Sequence, residues 1–246
     1  MKKIILIFIL SFTSNIFCQD SSVTRVIYKV SKPIIEKSND NNISPNVKFF
    51  LKERNEAYDM IECELIYNKT KSLFKIIDKL NYKEDKFYGL VSILASGKYY
   101  KDIDKRVKKQ QLEIQGETLN ISLPFEEYKW EIHKENKIIN GYLCYKATSK
   151  HIEFNHKKNQ YVINYPEVWF SPSISSSFGP RGLDGLPGLV LEGKFSNHIS
   201  FYAIKITFEI NDIKIEEPKN GKDLTQQEFS SFLKKINDAR LLLSKD

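Results

Sequence analysis

Residues 175–193 read SSSFGPRGLDGLPGLVLEG and hold five of the chain's ten glycines and two of its eight prolines. Such density occurs in phosphate-binding loops, in nucleophile elbows and in tight backbone crossings. A Walker-type loop ends in Lys followed by Ser or Thr and opens a helix, because its amides and its lysine converge on one anion. Here Gly188 runs into Leu189–Val190–Leu191, which suits a strand. An esterase elbow needs a serine with glycines two positions away on either side, and the stretch has none. A mechanical role remains. Pro180 and Pro187 restrict φ and remove amide donors, while Gly179, Gly182, Gly185 and Gly188 admit close approach of other groups. Leu183, Leu186, Leu189 and Leu191 are expected to fasten a crossover between two strands into a core. Arg181 and Asp184 are expected to face outwards from it. With Trp169 and Phe170 they would form a partner surface of apolar area and a few directed polar groups. Tyr161 and Tyr165 lie nearby, and their aromatic faces suit peptide or sugar contacts.

The other reactive residues give weaker patterns. His133, His151, His156 and His198 occur without the close His/Cys or His/Glu spacing of a metal site, so neither metal nor cofactor is expected. Glu153, Glu167, Asp184 and Glu192 would serve hydrolysis only if folding brought two of them to one bond. No catalytic residue is assigned on this basis. A peptide or glycan hydrolase acting near the 169–192 crossover is the alternative to a binding role. Cys63 in MIECELIY and Cys144 in GYLCYKAT both sit in strand-like segments. An oxidising compartment permits a disulfide between them, provided their Cα atoms come within about 7 Å. Two buried thiols fit the same sequence.

The elements that would position these groups are mostly strands. Residues 1–19 combine Lys2 and Lys3, an apolar run from Ile4 to Leu10 and a polar end, the order of a secretory signal. Its apolar core is shorter than the roughly 20 residues that cross a bilayer. Cys18 raises lipidation, against which bulky Phe17 argues. The formal net charge is +7. The one dense basic run, KDIDKRVKKQ from Lys101 to Gln110, is diluted by Asp102 and Asp104 and is read as a solvated surface segment. Export also removes most nucleic-acid partners, so none is expected.

Residues 36–46 read as a polar loop broken by Pro45. Period-two alternation marks strands from Ser22, Asp59, Gln111, Tyr142, His151 and Ser200 onward, with a bend at Gly116 and reversal at Glu135–Asn136 or Asn140–Gly141. The tail places Leu224, Phe229, Phe232, Leu233 and Ile236 at helical spacing, with Asp223 as its expected cap. The fold expected is therefore mainly β: a curved antiparallel sheet, as a partly open barrel or sandwich, with one C-terminal amphipathic helix. Residues 20–246 would form a single domain.

The ordered set Trp130, Gly141, Tyr142, Cys144, Lys146, Ala147, Trp169, Phe170, Pro172, Gly179, Pro180 and GLPGLVL from Gly185 to Leu191 resembles the GLPGLI family of exported Bacteroidetes proteins. Where that family carries an aromatic residue before the GLPGL element, this chain has Arg181–Gly182–Leu183–Asp184. The resemblance implies a periplasmic, outer-membrane-associated or secreted β-rich protein. It also implies a relation to an accessory N-terminal module of a bacterial peptide N-glycanase, without that enzyme's activity. The expected role is non-enzymatic binding of an envelope protein, peptide or glycan, with no transmembrane segment in the mature chain.

Overall fold

The computed structural model describes residues 22–31, 44–77, 88, 92, 95–155, 160–196, 199–211 and 213–243. The signal-like segment 1–19 with Cys18, His156, His198 and most of the polar stretch 36–46 lie outside them. The chain is mainly β. Strands β1 (Val23–Ser31), β2 (Glu62–Tyr67), β3 (Lys71–Ile76), β4 (Lys98–Asp102), β5 (Val107–Ile114) and β6 (Glu117–Ser122) come from the first half. The second half gives β7 (Glu131–Ile139), β8 (Tyr142–Thr148), β9 (His151–Asn155), β10 (Gln160–Asn164), β11 (Glu167–Ser171), β12 (Leu189–Ser196), β13 (Ile199–Ile210) and β14 (Lys222–Leu224). Two α-helices with described bounds, α1 (Pro45–Met60) and α2 (Gln226–Leu243), and a 3-10 turn at Pro180–Gly182 accompany these strands among the described residues.

Twelve strands form one open sheet in the order β14-β6-β5-β4-β3-β2-β1-β13-β12-β11-β8-β7, with β7 and β14 as its edges. Neighbours are antiparallel except β14, which runs parallel to β6 and makes the sheet mixed. Strands β5 and β6 are a hairpin rather than one strand bent at Gly116. Gln115 and Gly116 both have positive φ, the requirement of a two-residue reversal that matches strand twist. Asn140 and Gly141 reverse β7 into β8 in the same way.

Pro45 opens α1 instead of breaking a loop, because a first-turn position needs no amide donor. The cap of α2 is Thr225 and not Asp223, which lies in β14. Thr225 Oγ1 accepts from the Glu228 amide at 3.2 Å, and Glu228 Oε2 accepts from the Thr225 amide at 2.8 Å. Phe229 and Phe232 then pack on Leu119, Ile121 and Leu224 at the β14 end of the sheet.

The main core joins both halves of the chain. Tyr28, Leu65, Phe74 and Phe201 pack with Phe178, Leu189 and Leu191, and the Phe74 and Phe201 rings meet edge-on at 5.4 Å. A second cluster gathers Ala147, Val168, Phe170 and Val190 under Leu183 and Leu186. The segment 172–188 thus contributes Ile174 and Phe178 to the first cluster and Leu183 and Leu186 to the second.

Candidate functional site

The crossover supplies backbone partners that the sheet lacks. Strand β12 pairs with β13 only from Glu192 onward, so the start of β12 needs other hydrogen bonds. The Leu189 amide donates to Ile174 O at 3.2 Å and the Val190 amide to Phe178 O at 3.1 Å. The buried Tyr28 hydroxyl donates to Val190 O at 2.6 Å. Gly179 and Gly188 are required by clearance. A Cβ on Gly179 would stand 2.1 Å from Leu183 O, and one on Gly188 would stand 2.3 Å from Ser171 O. Gly185 and Pro187 reach the surface, whereas Pro180, Leu183, Leu186 and Leu189 are buried.

Asp184 corrects the expectation of an outward-facing group, being only 5% exposed. Its carboxylate accepts from Lys101 Nζ at 2.7 Å and sits 3.0 Å from Lys108 Nζ. Lys108 also meets Glu127 at 2.7 Å and donates to Gly182 O at 2.9 Å. Lys101 donates to Phe125 O at 3.0 Å, and Trp130 Nε1 donates to Asp184 O at 2.8 Å. The Lys101–Gln110 run is therefore not wholly solvated. Lys101 and Lys108 point inward, because an acid on the buried crossover needs cations beside it, and Asp102 is buried on the other side of β4 beside Tyr100 and Lys71. Burial alone would lower the pKa of Lys108. The facing carboxylates of Asp184 and Glu127 outweigh it and hold the group above the usual lysine range. A cavity of about 10 Å³ beside Asp184, lined by Ser72, Tyr99, Lys101 and Lys108, has room for at most one water.

Phe170 is the second correction. It is buried in the Leu183–Leu186 cluster, since its neighbour Trp169 takes the opposite side of the strand. Trp169 stays half-buried. Its ring lies 4.3 Å from Lys137 Nζ, whose ammonium meets Glu192 Oε2 at 2.8 Å. Register places Lys146, Trp169, Glu192 and Tyr202 side by side across β8, β11, β12 and β13. Arg181 is half-buried in a left-handed backbone conformation at φ 53°, stacked 4.8 Å from the Phe195 ring. Its Nε is enclosed without a hydrogen-bond partner among the described residues.

Glu167 and Glu192 lie diagonally on one side of β11 and β12, while the side chain of Glu153 lies outside those described. Glu192 is held by Lys137 and Glu167 by Lys146 at 3.2 Å, each away from the Asp184 cluster's own lysines. His133 contacts Thr148 Oγ1 at 2.7 Å, and His151 stands 4.0 Å from Glu127 Oε1. Cys63 and Cys144 are free, buried thiols rather than a bridge. Burial pushes Cys63 up to about 12, offset in part by Arg181, and Cys144 up to about 11. Thiols so protonated are poor nucleophiles. The Asp184 ion cluster escaped sequence reasoning. The pairing of a basic run with a departure at Asp184 was its only trace.

No family model matches the chain, and no curated protein does. Among solved structures it is similar in fold to PNGF-II. One structure, in space group C2, aligns with TM-score 0.53 at 16% identity, covering 86% of this chain and 32% of that one. Another, in space group P21, aligns with TM-score 0.53 at 17% identity, covering 86% and 33%. The chain thus spans about a third of the length of PNGF-II, and the likeness is one of fold.

Proposed function

We propose that this chain is an exported, non-enzymatic binding module of the GLPGLI type, with a partner surface centred on Trp169. The observation that carries the reading is the half-buried Trp169 ring, packed on the main core within a paired strand, with Lys137, Lys146 and Glu192 around it. An aromatic face with directed polar groups on a preorganised sheet is the usual composition of a recognition site. The surface is smaller than the sequence suggests, because Phe170 and Asp184 belong to the interior. The fold likeness to one third of a longer chain supports a module, as does the resemblance to an accessory domain of a peptide N-glycanase. The two carboxylates nearest Trp169 are each engaged by a lysine, Glu167 by Lys146 and Glu192 by Lys137, which favours binding over hydrolysis, where two must act on the same bond.

The test is capture of peptide or glycan from envelope extract on immobilised protein, with the bound material identified. Wild type is expected to retain its partner unaltered. Trp169→Ala is expected to lower retention at least tenfold with an unchanged far-ultraviolet circular dichroism spectrum. Equal retention by the folded variant, or steady release of cleaved product by wild type, would reject the proposal.

A further inference from the structure

Strands β8 and β9 on one side, and β10 and β11 on the other, keep a single register. Tyr145 pairs with Phe170 and Thr148 with Glu167. Beyond the interruption, His151 pairs with Asn164 and Asn155 with Gln160 at unchanged offset. The Ser149 amide bridges the gap by donating to Pro166 O at 3.0 Å. The four strands are one long hairpin. Its base lies in the twelve-stranded sheet, and its outer part, β9–β10, is a separate two-stranded arm.

Burial alternates along this hairpin without a slip. Val168 and Pro166 are buried, whereas Trp169, Tyr165, Ile163 and Tyr161 share the opposite side. Tyr161 is 74% exposed, Tyr165 67% and Ile163 47%, and Ile152, opposite Ile163, is 57% exposed. This is a track of roughly 26 Å, at the ~3.3 Å rise of a strand, leading out from Trp169 and apolar except for Glu167, which lies on the same side between Tyr165 and Trp169 and is held by Lys146.

We propose that this track docks an extended peptide whose sheet-facing side chains, at every second position, are apolar over Tyr161 and Ile163 and acidic over Lys150 and Lys194. The inference rests on the Trp169 surface as the inner end of the track and names its ligand class. Period two is the decisive match, because side chains of an extended peptide recur on one face at the same spacing as Tyr161, Ile163 and Tyr165. Charge fixes the rest. Lys146 is neutralised by Glu167 and Glu135, but Lys150 beside Tyr165, and Lys194 opposite Glu167, are exposed cations with no ion pair among the described residues. They favour acidic groups on the occupant and repel a second copy of the same face. The exposed side chains offer several hundred Å², below the ~800 Å² per partner of a stable dimer.

The experiment titrates the full-length protein into a fluorescein-labelled peptide that carries two valines and then two glutamates at every second position, with serines between them, and reads anisotropy. Wild type is expected to bind and to weaken with salt. The double substitution Tyr161→Ser with Ile163→Ser is expected to weaken binding at least tenfold, and Lys150→Glu severalfold with a shallower salt dependence. A lysine-for-glutamate peptide bound as tightly as the acidic one would overturn the assignment. So would a neutral oligosaccharide, phosphatidylglycerol vesicles or self-association showing the sensitivity to Tyr161 and Ile163 that the peptide lacks. Binding lost in Trp169→Ala but kept in the double variant rejects the track and leaves the Trp169 surface standing. The converse keeps the track and rejects that surface, and indifference to both rejects both.

Discussion

Asp184 shows how one side chain changes role when its surroundings are known. An aspartate amid glycines is ordinarily a surface group, yet here it is enclosed with Lys101 and Lys108. Removing one member of a buried pair leaves the other charge uncompensated, which costs about 3–5 kcal/mol. Asp184→Asn is therefore expected to lower stability by that amount in urea unfolding, whereas the same change at exposed Asp104 should lie within about 0.5 kcal/mol. The sign with pH follows from Lys108. Its folded pKa is raised, so its contribution is complete below the unfolded lysine value of about 10.4. It is lost as pH rises through the higher folded value. Urea midpoints measured from pH 8 upward should fall on the alkaline side in wild type and fall less in Lys108→Met. Parallel curves would remove the ion cluster from the account.

At the scale of elements, the crossover holds its place by clearance as much as by attraction. Gly188 lies where a side chain would enter the Ser171 carbonyl, and the colliding atom is backbone that cannot rotate away. Gly188→Ala is expected to destabilise by about 3 kcal/mol through overpacking, read from the thermal midpoint. Its effect should concentrate in faster hydrogen exchange at Leu189 and Val190, whose amides bond to the crossover. Local turn chemistry was readable in Asn140–Gly141, because Asn-Gly tolerates two successive positive φ values. Gln115–Gly116 performs the same reversal but reads as a bend, since glutamine gives no such signal. The Thr225–Glu228 box was spelled out in sequence, and Asp223 drew attention away from it. Pro45 was ambiguous by nature, since the same ring ends one element and begins another.

For the whole molecule, the crossover ties the strands of both halves of the chain into one core, through Tyr28 with Val190 and through Lys101 and Lys108 with Asp184. Unfolding is therefore expected as one cooperative transition. Tryptophan fluorescence, from Trp130 and Trp169 in the second half, and far-ultraviolet circular dichroism, from all strands, should give coincident urea curves. Separated midpoints would mean two units and would break the single-domain reading. By itself, the sequence determined the β class, the C-terminal helix and the crossover's apolar anchors, because periodicity, proline and glycine act over a few residues. Only the tertiary structure decided that Phe170 and Asp184 turn inward, that Cys63 and Cys144 stay apart as thiols, and that the tyrosines align with Trp169. Those outcomes depend on which distant strand arrives alongside, and burial and charge compensation are properties of that meeting rather than of either segment.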